Sequence, residues 1–187
     1  MELKDKAQLR AQFKSLRRSE VKSELKSHKI CGLLAKVLEQ NGTGLCAIYN
    51  TIQGEVDIQC LAEKTVNWRF CYPKVLDDGL GFYIPKSKSS FSQGAYGVSE
   101  PVIEESEPVD VKDIQVVCVP GLAFDRKGAR LGMGKGFYDR CLAGFEALKV
   151  GVGFQSQIVN YELPLEAHDI KMDILVTENF IMELNVA

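Results

Sequence analysis

The residues best suited to chemistry lie in one stretch, Val116 to Cys141, which reads VVCVPGLAFDRKGARLGMGKGFYDRC. Its glycines alternate as Gly132-x-Gly134-x-Gly136, and residues without a β-carbon let backbone N–H groups approach an anion closely. Asp125, Arg126, Lys127, Arg130 and Lys135 are interspersed with these glycines and Gly128. Arg130 and Lys135 add full positive charge to a phosphate cradle. The apolar run Val116–Val119, closed by Pro120-Gly121, has the pattern of a buried strand. Phe137, Cys141, Phe145 and Leu148 then recur as one face of a helix, whose N-terminal partial charge would favour the same anion. Asp139, four residues after Lys135, falls one turn into that helix, either as a partner of the helix dipole or as a carboxylate for a hard divalent cation.

Two common phosphate motifs do not fit. A P-loop requires glycine where Ala129 stands and Ser or Thr where Gly136 stands, and a dinucleotide fingerprint requires Gly or Ala at Phe137. A bare G-x-G-x-G fits a tight packing turn about as well as a ligand loop. The cations beside it favour the ligand.

Pro120-Gly-Leu-Ala-Phe-Asp125, followed by Arg130-Leu-Gly-Met-Gly-Lys-Gly-Phe-Tyr-Asp-Arg140, resembles the signature of the 5-formyltetrahydrofolate cyclo-ligase family, also called 5,10-methenyltetrahydrofolate synthetases. The resemblance extends to Lys6-x-x-Leu9-Arg10, Gln53-x-Glu55 and His168-Asp169-x-x-Met172-Asp173, covering most of the chain in the family's order. It implies ATP-dependent closure of 5-formyltetrahydrofolate to 5,10-methenyltetrahydrofolate, with release of ADP and phosphate. The ATP site it implies comprises Lys6, Ala7, Gln8, Leu9 and Arg10 together with Arg130, Leu131, Gly132, Gly134, Lys135, Gly136, Phe137 and Tyr138. Asn50, Glu55, Tyr96 and Tyr138 are the implied folate contacts, and Asp139 and Asp173 the implied Mg2+ ligands. Met133 stands where family members carry a longer polar side chain, and no role is carried to it. Glu55 could equally serve as helix N-terminal charge, and Tyr96 as a turn residue. His168 has no second histidine or cysteine at metal-ligand spacing and is read as ordering its loop.

The elements that must position these groups follow from patterning. Leu9, Phe13 and Leu16 mark the apolar face of a first helix. Ile30, Leu33, Leu34, Val37 and Leu38 mark a second, with Ser19 as its cap and Asn41-Gly42 at its end. Lys6, Arg10, Lys14 and Arg17 form a cationic stripe on the first helix, which is either a solvated face or the partner of an anion. Strands are expected at Leu45–Tyr49, Arg69–Tyr72, Gly81–Ile84, Val116–Val119, Val150–Phe154 and Ile174–Thr177, with a helix after Glu55. Lys86 to Gly97 reads as a mobile loop and Glu104 to Asp113 as an exposed acidic linker. Strands alternating with helices predict an α/β, Rossmann-like three-layer α/β/α domain over residues 1–187, with a mainly parallel sheet and the basic helices of residues 4–40 packed on it.

The 187 residues carry a net charge of −2, which hides an asymmetry. Residues 1–36 hold ten Lys/Arg against four Asp/Glu, and the remainder thirteen against twenty-one. An acidic body without aromatics interleaved among the basic residues argues against nucleic-acid binding. No apolar run is long enough to span a membrane and no secretory h-region is present, so a cytoplasmic, membrane-free monomer is expected. The six cysteines show no C-x-x-C spacing and are expected as reduced thiols. Two other classes compete: a non-enzymatic nucleotide- or folate-binding regulator, and a sugar-phosphate-processing enzyme of similar architecture. Asp139, Asp173 and Glu55 together disfavour both.

Overall fold

The computed structural model describes residues 5–77, 79–94 and 97–184. In chain order the elements are α1 (Lys6–Arg18), α2 (Ser23–Gln40), β1 (Gly44–Ala47), α3 (Leu61–Lys64), β2 (Trp68–Leu76), β3 (Gly79–Pro85), β4 (Phe91–Gln93), β5 (Ser99–Pro101) and β6 (Ser106–Val109). They continue with β7 (Val116–Pro120), β8 (Ala123–Asp125), β9 (Arg130–Leu131), α4 (Phe137–Leu142), β10 (Leu148–Val152), β11 (Ile158–Val159), β12 (Ile174–Val176) and β13 (Ile181–Glu183).

The main sheet has eight strands in the order β13-β12-β10-β7-β1-β2-β3-β6. From β12 to β2 every pairing is parallel, while β13, β3 and β6 join antiparallel at the two sides. The expected mainly parallel α/β sheet is therefore present. β7 lies inside it with both faces covered: Val116 and Cys118 pack in one apolar cluster with α2, while Val117 and Val119 pack in another with Phe82, Leu142 and Phe145. This is why its sequence is continuously apolar rather than alternating.

A second sheet, β11-β8-β9, has three strands and carries α1. Leu9 and Phe13 insert between Leu122, Ala123, Ala129, Leu131, Val159 and Leu163. The turn from β8 to β9 is held by Asp125, whose buried carboxylate accepts the backbone N–H groups of Lys127, Ala129 and Leu163 at 2.8, 2.9 and 2.9 Å. A carboxylate so placed satisfies three donors that a buried turn would otherwise leave unpaired.

Several expectations are corrected. Ser19 ends α1 rather than starting α2, donating its hydroxyl to Leu16 O at 2.9 Å, and α2 begins after Lys22, which is left-handed at φ 57°. Leu16 points outward, whereas Arg17 is buried. The helix expected after Glu55 shrinks to the single turn of α3. The helix after the glycine loop ends at Leu142, so Leu148 opens β10 instead of extending that helix. Lys86 to Gly97 contains β4, which pairs with β5. The acidic stretch contains β6, an edge strand on which Pro108 leaves no inner ladder bond unmade. Cys31 of α2 and Cys60 before α3 form a disulfide, with their Cα atoms 6.5 Å apart, so these two are not thiols; Cys46, Cys71, Cys118 and Cys141 are free. Among the described residues no helix is long and apolar enough to cross a membrane.

Candidate active site

A cavity of about 650 Å³ opens beyond the carboxyl ends of β1 and β7, where ligands bind in open α/β sheets. Four groups of residues form its walls. α1 contributes Lys6, Arg10, Lys14 and Arg17, and the segment after β1 contributes Tyr49, Asn50, Ile52 and Glu55. Pro73, Val75 and Leu80 of the β2–β3 hairpin supply an apolar wall with Val98, Ser99 and Glu100 beside it. Opposite stand Pro120, Gly121 and Arg130 to Arg140, with Glu166, His168 and Asp169 closing the end. Seven Lys/Arg against five Asp/Glu line this space, leaving a cationic excess that suits a polyanion.

The glycine loop follows β9. Gly134 and Gly136 are left-handed at φ 92° and 65°, a conformation costly for other L-residues. Gly132 instead leaves room for Arg130, since a Cβ there would stand 2.8 Å from Arg130 Nη1 and the guanidinium would have to shift. Arg10 meets this loop from α1, donating from Nε to Gly132 O at 3.2 Å. Arg140 Nη1 donates to Lys135 O at 3.0 Å while its guanidinium covers the Phe137 ring. α4 has only six residues, too short to aim much dipole at an anion, so the helix terminus expected from the sequence adds little, and the positive charge at the loop is that of Arg10, Arg130, Lys135 and Arg140.

Arg130 and Asp139 form a tight pair. Arg130 Nη2 lies 2.9 Å from each Asp139 oxygen, Nη1 donates to Pro120 O at 3.3 Å, and the guanidinium sits 5.6 Å from the centre of the Tyr138 ring. Arg130 Nε is buried without a partner. Asp139 Oδ1 also accepts weakly from Ile170 N at 3.4 Å.

Lys6 is held at the far end, 2.6 Å from Asp169 Oδ2 and 3.0 Å from Glu166 Oε1. Burial works to lower the Lys6 pKa, but its bonds to Asp169 and Glu166 outweigh burial and hold it above the ordinary lysine range. Burial likewise pushes the Asp169 carboxyl up, and its bonds to Lys6 and to Glu166 N prevail, holding it below its ordinary value. Asp169 carried no role in the sequence reading.

Glu55 is an enclosed carboxylate that meets α1. Arg17 Nη1 donates to its Oε1 at 2.9 Å and Ile52 N to its Oε2 at 3.3 Å. Burial raises its pKa, and the Arg17 charge opposes that rise without cancelling it. Asn50 Nδ2 donates to Ser99 O at 2.6 Å, tying the segment after β1 to β5. Cys141 does not line the cavity, and burial pushes its thiol up to about 11, away from thiolate character.

The expected site residues divide as follows. Lys6, Arg10, Asn50, Glu55, Arg130, Leu131, Gly132, Gly134, Lys135, Gly136, Phe137, Tyr138 and Asp139 come together around the cavity. Ala7 and Gln8 face solvent and Leu9 belongs to the core, because helical spacing presents only the residues four apart to one side. Tyr96 lies outside the described residues. Asp173 does not line the cavity. Its Oδ2 accepts from Lys149 N at 2.7 Å and lies 3.6 Å from Lys149 Nζ, at the amino ends of β10 and β12, whereas the cavity opens at the carboxyl ends of the strands. Asp139 and Asp173 are therefore not brought together about one ion. Pro73, Val75 and Leu80 were missed because nothing local distinguishes a cavity wall from an ordinary hairpin. Lys14 and Arg17, by contrast, were visible in the cationic stripe.

Comparison with known proteins accords with this arrangement. The model of the 5-formyltetrahydrofolate cyclo-ligase family matches residues 2–178. A 5-formyltetrahydrofolate cyclo-ligase of Mycolicibacterium smegmatis is 30% identical over 188 residues, covering 95% of each chain. The structure of the Aquifex aeolicus 5,10-methenyltetrahydrofolate synthetase superposes with a TM-score of 0.84 at 36% identity, covering 97% of this chain and 94% of that one. A Mycoplasma pneumoniae synthetase has the same fold, with a TM-score of 0.76 at 23% identity over 94% of this chain and 99% of that one. With nearly its whole length matched by the family model, and with the glycine loop, Glu55 and Asp139 facing one another across a single cavity, the chain belongs to the 5-formyltetrahydrofolate cyclo-ligase family, whose members are ligases of folate one-carbon metabolism.

Proposed function

We propose that the chain uses ATP to close 5-formyltetrahydrofolate to 5,10-methenyltetrahydrofolate. The observation that carries this reading is the two-sided cavity: the Gly132–Gly136 loop with Arg10, Arg130 and Lys135 on one side, and Asn50, Glu55 and the apolar Pro73, Val75 and Leu80 on the other. One side suits phosphates and the other a flat, polar-edged ring.

The chemistry needs both. A formamide oxygen is a poor nucleophile and a worse leaving group. In the proposed sequence that oxygen attacks the γ-phosphorus and ADP departs, leaving an iminium phosphate. N10 then adds to the formyl carbon and loses its proton, and phosphate leaves with the C–O bonding pair as the five-membered ring closes. The protein's part is to hold the oxygen in line with the phosphorus and to balance charge on the equatorial oxygens. Arg10, seated over Gly132 and Gly134, and Lys135 within the loop would supply positive charge to the phosphates. Tyr138 packs beneath Arg130, which keeps the guanidinium level with the loop.

Among the described residues no three His, Cys, Asp or Glu side chains gather closely enough to hold a metal ion. Asp139, the carboxylate beside the glycine loop, suits magnesium instead, which takes one or two carboxylates and fills its shell with phosphate oxygens and water. Bound there with the nucleotide, magnesium would neutralise the phosphate oxygens. Asp139 would exchange part of its pairing with Arg130 for the ion.

Purified protein supplied with 5-formyltetrahydrofolate and Mg-ATP should accumulate the absorbing methenyl product, with one ADP formed per ring closed. Product without nucleotide consumption would overturn the phosphorylation route. Lys135→Ala should raise the KM for ATP by about tenfold, as loss of one charged hydrogen bond implies, and leave thermal stability unchanged because the side chain is exposed. An unchanged ATP KM beside a raised folate KM would move Lys135 to the other substrate.

A further inference from the structure

Arg17 was grouped in the sequence with three other cations of α1, yet the structure treats it differently. Its side chain is 5% exposed, it lines the cavity, and its guanidinium meets Glu55, whose side chain is 9% exposed. A buried guanidinium is costly unless a carboxylate answers it, and a buried carboxylate equally needs its cation. The fit extends to the backbone: a Cβ at Gly54 would stand 3.0 Å from the Arg17 carbonyl oxygen, so the turn carrying Glu55 is seated directly on the end of α1. Arg17 Nε is buried with no partner, a second donor held at the same wall.

We propose that Arg17 is a positioning residue for folate binding, fixing the Glu55 carboxylate at the cavity wall and making the folate half of the site depend on the docking of α1. This rests on the assignment of Glu55 to the folate side. The groups facing Glu55 are Arg17 from α1, Tyr49 from the segment after β1 and Tyr138 from α4. Neither phenol can carry positive charge, so among these groups Arg17 alone supplies the compensating charge. Burial already raises the Glu55 pKa, and Arg17 is what restrains it. Removing Arg17 must therefore raise it further, so that the carboxylate is lost at a higher pH as pH falls.

The test measures KM for each substrate, and the pH profile of kcat/KM for 5-formyltetrahydrofolate, in Arg17→Met, Arg17→Lys, Glu55→Gln and the Arg17→Met/Glu55→Gln double variant. Arg17→Met should raise the folate KM by about tenfold or more, leave the ATP KM within about twofold, and move the acid limb of the profile to higher pH. Arg17→Lys, which restores the charge, should recover most of the loss and return the limb. In the double variant the shifted limb should vanish, with little loss beyond that of Glu55→Gln. If Arg17→Met does not fold, the ordering of wild type, Arg17→Lys and Glu55→Gln in the folate KM and acid limb decides. Wild-type folate KM in Arg17→Lys with an unmoved limb supports charge as the determinant, and a loss equal to that of Glu55→Gln with no limb shift overturns it. Should Glu55→Gln raise the folate KM while Arg17→Met changes neither it nor the limb, the positioning role is overturned and the folate assignment of Glu55 stands. Should Glu55→Gln leave the folate KM unchanged, the assignment of Glu55 itself fails and the role of Arg17 fails with it.

Discussion

Asp139→Asn should lose at least about a hundredfold in kcat, the scale of several kcal/mol of charge stabilisation concentrated on a transferring phosphoryl group. It should also need more magnesium to reach half its own maximal rate. The substitution keeps the size of the side chain and one acceptor for Arg130 but deletes the charge, so the fold should survive. Its cost to stability is that of weakening a largely buried ion pair, about 1–3 kcal/mol, against a typical total of about 5–15 kcal/mol. Asp173→Asn supplies the contrast. Because Asp173 braces Lys149 between β10 and β12, its loss should lower the melting temperature while leaving the magnesium requirement within about twofold of wild type, as expected for a residue without a transition-state role. A magnesium requirement raised alike in both variants would restore the two-carboxylate site implied by the resemblance. Normal turnover of Asp139→Asn at limiting magnesium would leave only loop amides and cations for the nucleotide.

The parts of the fold legible in the sequence were those with a local cause. Val116–Val119 is apolar without alternation because β7 is covered on both faces, and the glycines after Arg130 mark a loop because two of them are left-handed and the third makes room for the arginine. The cationic stripe was legible for the same reason: spacings of four, four and three put Lys6, Arg10, Lys14 and Arg17 on one side of a helix, and all four line the cavity. Periodicity failed where a distant partner decides. The periodicity puts Leu16 on the apolar face and Arg17 in a stripe either solvated or paired with an anion; Glu55, 38 residues away, draws Arg17 inward, and Leu16 is left outside. Asp173 sits in a motif that suggests a ligand, but its neighbour across β10 and β12 is Lys149, a pairing created only by parallel register. Cys31 and Cys60, 29 residues apart in sequence, meet because the segment before α3 folds onto α2. β6 was lost to its own composition: Ser106-Glu-Pro-Val109 has the polarity of a linker, and its position at the edge of the sheet is what tolerates that polarity and the proline.

Chelation of divalent cations should abolish turnover without disturbing the ligand-free fold. The two halves of that expectation have separate causes. Among the described residues no cluster of donors could hold an ion unaided, so EDTA has no structural metal to extract, and the melting temperature of the protein alone should not move. Turnover should differ because, in the proposed reaction, the triphosphate would bring charge that Arg10, Arg130 and Lys135 could not meet in full: Arg130 is already paired with Asp139, and Arg10 is bonded to Gly132 O. On the proposed reading, an ion taken up at Asp139 together with the nucleotide would make up the difference, so ATP should raise the melting temperature strongly with magnesium and weakly with EDTA. A ligand at a hundred times its Kd adds about 2.7 kcal/mol to stability, which is several degrees for a chain of this size. The same experiment on Asp139→Asn should erase most of the difference between magnesium and EDTA, because the carboxylate that ties the ion to the protein is gone. Undiminished turnover in EDTA would remove the metal from the mechanism. A melting temperature that falls in EDTA without nucleotide would instead place a metal in the resting protein, against the lack of a three-donor cluster among the described residues.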